Sequence, residues 1–150
     1  MAFEPDIIVT GPETAEIALV AEVKTSSRSI DDSERRLKRY MVAVSSPLGL
    51  LITPEHLRIY RDQYLPSSDS VIKVAEFNVR DVFRFAQSGN AAVDAFGFER
   101  QVQSWLETLS TESGLKQLTP ELRRAVQLYI VPALTQGSVR SGHPRIPITA

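Results

Sequence analysis

The sequence predicts a mixed α/β (α+β) fold: a central mixed β-sheet flanked by helices, followed by a helical C-terminal half. Three observations carry that prediction. Short apolar runs at residues 6–9, 16–24 and 48–53 are bounded by turn residues and have the length of strands. Between the second and third runs lies one amphipathic pattern, with Leu37, Tyr40, Met41 and Val44 at i, i+3, i+4 and i+7. Beyond residue 90 the period becomes helical, with Phe98, Val102, Trp105, Leu106 and Leu109 on one stripe.

Each element has its own justification. Residues 6–9 form a run that fits a strand buried on both faces, between Pro5 and a turn over residues 10–14. In residues 16–24, Ile17, Leu19, Ala21 and Val23 share one face, and Val20, Glu22 and Lys24 the other, so the two runs read as a hairpin. Ser29 and Asp31 are candidate caps for the helix that follows, which Ser45-Ser46-Pro47 ends. Residues 48–53 read as a buried strand. Residues 56–61 read as a half-buried, peripheral strand that sets Leu57 and Ile59 against Arg58 and Tyr60. A helix between two buried strands predicts a crossover packed on the sheet. Residues 71–77 make one further edge strand, and Asn78 caps a short helix over 79–86 that Ser88-Gly89-Asn90 breaks. The long helix around Phe98 is expected to stop at Gly114. The next starts at Thr119-Pro120-Glu121, buries Leu122, Val126, Tyr129 and Ile130, and kinks or ends at Pro132. From Gly137 the Gly/Ser/Pro-rich tail has no period and is expected to be a flexible arm.

Composition narrows the function classes. A chain of 150 residues, 43% apolar, fits one domain with a sizeable core. No apolar run approaches the roughly 18–20 residues that span a bilayer, and no basic start precedes an apolar core. A cytoplasmic protein without a membrane partner is therefore expected. There are no cysteines, which removes disulfides, thiolate metal sites and thiol catalysis. Net charge is −1, yet between Lys24 and Arg61 eight Lys/Arg face four Asp/Glu, with Arg35, Arg36, Lys38 and Arg39 nearly contiguous. That makes a local basic surface suited to phosphate, or simply a solvated helix face.

The residues with chemistry lie in the first two runs. Glu22 and Lys24 are two apart and share a strand face, and Asp6 reaches that face from the neighbouring strand. An aspartate, a glutamate and a lysine together suit a hard divalent cation and a water oriented against a phosphate. The alternative is a solvent-facing strand edge with an ordinary acid–lysine pair. His56 and His143 have no acid or third ligand at useful spacing, Thr25, Ser26 and Ser27 have no base partner, and no Gly-rich phosphate loop is present.

With these residues in place, the chain resembles the PD-(D/E)XK nuclease superfamily. Pro5-Asp6 stands for the PD element and Glu22-Val23-Lys24 for the E-x-K element. The order strand, strand, helix, strand also matches that core. Arg36-Leu37-Lys38-Arg39-Tyr40 resembles the Gln-x-x-x-Tyr helix motif of the nuclease domains of type I restriction subunits and related repair nucleases, with Arg36 where glutamine is usual. The resemblance covers residues 4–61. It implies a single restriction-endonuclease-like domain over 1–136, with the nuclease-type core at 4–61, helical completion at 78–136 and the tail at 137–150.

The implied activity is metal-dependent hydrolysis of DNA phosphodiester bonds. Asp6, Glu22 and the Val23 carbonyl would hold Mg²⁺ or Mn²⁺, Lys24 would assist the attacking water, and Arg36 and Tyr40 would hold backbone phosphates. Tyr40 also lies on the apolar stripe and reads equally well as core. Two departures matter. Arg36 only donates hydrogen bonds where glutamine also accepts, and the family's usual first helix has no counterpart before Pro5. Either a later helix (98–109) or a partner chain is expected to fill that place, or Glu4 to supply a substitute for the acid that helix often bears, and an otherwise uncovered sheet face suggests a homodimer. The competing expectation is a nuclease-like module that binds DNA or protein and cleaves nothing. A third is an unrelated α+β domain in which Glu22 and Lys24 make a surface pair.

Overall fold

One mixed sheet organises the computed structural model, which describes residues 5–11, 16–66, 69–135 and 137–141. β1 (Ile7–Thr10) and β2 (Ile17–Val23) pair antiparallel, as the first two apolar runs predict. α1 (Ile30–Val44) crosses over to β3 (Leu48–Ile52), which lies parallel to β2. β4 (His56–Asp62) and β5 (Val71–Asn78) follow antiparallel, with β5 at one edge. β6 (Ser138–Ser141) forms the other edge, giving the order β5-β4-β3-β2-β1-β6.

β6 corrects the expectation of an arm without structure. It pairs antiparallel with β1, from Ile7↔Ser141 to Thr10↔Ser138. β1 is buried, so a bare edge there would leave backbone N–H and C=O groups unpaired away from water; β6 pairs them. Its alternation is real but minimal, with Val139 on the core and Arg140 exposed. Residues 142–150 of the predicted tail lie outside the described residues, as do residues 12–15 of the first turn.

Each face of the sheet has its own core. On one, Val20, Leu51 and Tyr60 pack against Leu37 and Met41 of α1. Leu37 and Met41 are fully buried, as the amphipathic pattern predicts. Gly49 lies under α1, and a Cβ there would overlap the Met41 sulfur, so a larger residue needs that flexible side chain to move aside. On the other face, Leu19, Ala21, Leu50 and Ile59 meet α3 (Ala91–Thr108) through Phe98, Val102 and Leu106. Phe98 sits edge-on to Phe83 at 5.4 Å, and Phe83 edge-on to Trp105 at 5.3 Å. This face is thus covered by the chain's own later helix, the first of the three expected alternatives, and its burial does not call for a second copy.

Ile17 departs from strict alternation. Val9 pairs with Leu19 but Thr10 with Ile17, so Ala18 is an extra residue, and this bulge turns Ile17 to the α1 face. α2 is only Arg80–Phe83, shorter than the predicted 79–86, because Arg84 takes φ 47° and closes it. Asn78 accepts from Arg80 N–H at 2.9 Å, an Asx turn that starts it. α3 ends at Thr108 instead of reaching Gly114, which lies within a separate helix, α4 (Glu112–Lys116). Gly114 is needed for packing: a Cβ would overlap the Thr108 carbonyl. α5 (Pro120–Ala125) runs through a π-helical turn (Val126–Ile130) into α6 (Val131–Thr135). Pro132 therefore does not end the helical segment, which continues to Thr135 after the wider turn. No described helix is long and apolar enough to cross a membrane.

Candidate functional site

The site lies where β1 begins and β2 ends. Asp6 binds β2 through two of its groups: its own N–H donates to the Ala21 carbonyl at 3.0 Å, and its Oδ2 accepts from the Val23 N–H at 2.7 Å. Residues 21–23 are thereby clasped on either side of Glu22. Ile8 and Val20 both face α1, and alternation puts Asp6 and Glu22 on that same face. The structure places Asp6 and Lys24 next to Glu22 at this end of the sheet.

Glu22 is only 3% exposed. Its Oε1 lies 3.0 Å from the Lys24 ammonium, while its Oε2 is buried without any hydrogen bond. Burial, reinforced by the negative charge of Asp6, raises its pKa from 4.5 to about 7. Lys24 and then Arg36 pull the other way without overcoming those two. An orphaned oxygen on a buried acid is costly, and three things can relieve it: a proton, a water or a cation. The structure thus combines a neutralisable carboxylate, a second carboxylate within charge range and an ammonium.

Around this centre the predicted residues divide. Arg36, on α1, places its charge within range of Glu22 and makes a long 3.4 Å contact to the hydroxyl of Ser33, which is almost fully buried. Tyr40 is half-buried against the cluster of Val20, Leu37 and Met41, the core role that the stripe allowed. Val23 contributes its N–H to Asp6, and its side chain belongs to the opposite core. Arg35 pairs with Asp32, Lys38 pairs with Glu34 at 3.0 Å, and Arg39 is exposed, so the basic run is mostly helix surface. His56 belongs to no metal-binding group among the described residues, and His143 and Glu4 lie outside them.

Beyond the ends of β2 and β3 lies a cleft of about 300 Å³, lined by Thr25, Ser26, Ser27, Thr53 and Phe85. Openings beyond the carboxyl ends of parallel strands are where open α/β sheets commonly take ligands. Gln87 ties its rim, donating to the Thr25 carbonyl at 3.2 Å.

One polar network escaped the sequence reading. Glu34 of α1 accepts from Arg58 at 2.8 Å and from the Tyr60 hydroxyl at 3.0 Å, and Arg58 also pairs with Glu76 at 3.2 Å. Burial pushes the Glu34 pKa up, but bonds from Lys38 and Tyr60 outweigh it and hold the pKa below the usual value. Tyr60 is wholly buried, not on a half-exposed strand face, because α1 covers β4. The available signal was Glu34 and Lys38 one turn apart, on the edge of the stripe carrying Leu37 and Met41.

Among the described residues no group of three or more His, Cys, Asp or Glu could hold a metal. A two-carboxylate site still fits Mg²⁺, which keeps several waters and is commonly held by one or two carboxylates together with substrate phosphates. Set against family models, curated proteins and solved structures, the chain finds no match.

Proposed function

We propose that this chain is a metal-dependent endonuclease that hydrolyses DNA phosphodiester bonds. The observation that carries the reading is Glu22: a buried carboxylate with one oxygen on Lys24 and the other orphaned, beside Asp6. Asp6 and Glu22, with the Val23 carbonyl, are the groups that would hold Mg²⁺ or Mn²⁺. Such an ion, when bound, supplies Lewis-acid stabilisation of charge on phosphoryl oxygens and an acidified water.

The chain's own residues do the rest. The Val23 N–H fixes the Asp6 carboxylate at 2.7 Å, so that ligand is oriented in advance. Lys24 holds Glu22 Oε1 and presents its remaining protons to an anionic substrate. Arg36 adds a permanent cation on the same side, from a helix turn where it can contact a backbone phosphate. The absence of cysteine suits a cytoplasmic setting, which we adopt as part of the proposal.

Two contacts favour a second reading, a non-cleaving DNA- or protein-binding module. Asp6 Oδ2 already serves the β1–β2 ladder, and Lys24 already answers Glu22, so the pair also makes sense as structure. Calorimetric titration of Mn²⁺ into the wild type and Glu22→Ala, alongside plasmid nicking, separates the two. Binding and nicking by the wild type, both lost in the variant, are expected. A wild type that binds no Mn²⁺ leaves the second reading.

A further inference from the structure

At the end of the sheet away from Glu22, where β2 and β3 begin and β4 ends, lies a cavity of about 540 Å³. Ala18 and Leu48 form its floor. The π-helical turn stands on one side and brings Leu128, 63% exposed. Tyr64, also 63% exposed, stands on the cavity as well. Two large apolar side chains left in water around one concavity mark a binding site more than a stable free surface.

Two backbone irregularities shape these walls. Tyr64 takes φ 55°, a left-handed conformation that a non-glycine residue rarely adopts. It is held there by Asp62, whose Oδ1 accepts the Tyr64 N–H at 2.8 Å. The second irregularity is the π turn itself, a form found often at functional sites.

The polar chemistry comes from Arg61. It lies directly across from Leu48 in the β3–β4 ladder, so the two side chains share the cavity face. Among the described residues it has no ion pair, and the neighbouring Asp62 carboxylate is turned back onto the Tyr64 backbone. The cavity therefore combines an apolar, aromatic-sided body with a cation.

We propose that this cavity binds a small organic acid, a carboxylate on a flat apolar body. The Arg61 guanidinium takes the carboxylate through paired N–H donors, and Tyr64 and Leu128 enclose the body. The site is separate from the Asp6–Glu22 centre and does not depend on its chemistry.

The test is titration of the full chain with 2-naphthoate and with 2-naphthamide, the uncharged counterpart of the same shape, followed by calorimetry and ligand-observed saturation transfer. The acid is expected to bind saturably and at least tenfold more tightly than the amide. Arg61→Gln should erase that difference, and Leu128→Ser should weaken both ligands alike. Both residues are exposed, so both variants are expected to fold. Glu22→Gln should leave acid binding unchanged. Equal affinity for acid and amide, a preference that survives Arg61→Gln, or no saturable binding of the acid would overturn the proposal. So would an acetylated peptide ending in a free Phe carboxylate that bound a hundredfold more tightly than the acid, since the occupant would then be a protein C-terminus.

Discussion

Replacing Glu22 with glutamine should stabilise this protein at alkaline pH, in metal-free buffer with a chelator. In the unfolded chain Glu22 ionises near 4.5, and in the fold its pKa is raised to about 7 by burial and by Asp6. Between those values the folded state holds more protons than the unfolded one, so stability falls as pH rises through the window and stays lowered above it. A displacement of that size corresponds to about 3 kcal/mol. Glutamine keeps the shape and has no proton to lose, so Glu22→Gln should match the wild type near pH 4.5 and exceed it at pH 8 by up to that amount. For a chain of this length the gain at pH 8 amounts to about 6–12 °C in Tm. Urea unfolding at both pH values, followed by the fluorescence of the single Trp105, measures it directly. Saturating Mn²⁺ should then raise the wild type at pH 8 and leave the variant unmoved. A variant offset that is the same at both pH values would refute the reasoning, since Oε2 would then not carry a desolvated charge.

Other substitutions test the scaffold. Phe98→Ala removes a fully buried ring that packs on Phe83 and Phe85, and should cost about 3–5 kcal/mol in urea unfolding. Gly49→Ala should cost about 1 kcal/mol by forcing the Met41 side chain into another rotamer, and Met41→Ala should remove that cost, so a double-mutant cycle will be non-additive. Glu34→Gln should cost about 1–3 kcal/mol at pH 7 by weakening the bonds from Arg58 and Lys38. Because the Glu34 carboxyl is held below its usual pKa, the stability it contributes is present above pH 4.5 and lost as pH falls. The variant's acid-unfolding limb should accordingly be flatter, as circular dichroism between pH 7 and 3 would report.

What was legible in the sequence, and what was not, follows from the range of the interactions involved. β1 to β5 and α1 rest on local alternation and one helical stripe, and these elements lie within a few residues of where the pattern puts them. The shared face of Glu22 and Lys24 follows from period two alone, and their 3.0 Å pair agrees. The position of Asp6 needed one further step, the register of a hairpin, and the ladder from Ile7↔Ala21 supplies it. Facts requiring a contact distant in sequence were not visible. β6 is a strand because β1 offers it an edge more than 120 residues away in sequence, and nothing within Ser138-Val139-Arg140-Ser141 demands extension. Tyr60 appeared peripheral because alternation marks a face without saying what covers it; α1 does. Local pattern makes Gly114 a helix stop because glycine often ends helices, whereas here its role is to let α4 approach the Thr108 carbonyl. The orphaned Oε2 of Glu22 belongs to the same class. A carboxylate two residues from a lysine reads as a satisfied surface pair, and only the folded packing shows it buried with one oxygen unanswered. That unanswered oxygen favours a proton at low pH, and, if the proposed metal binds there, stability and metal affinity should vary with pH in opposite directions.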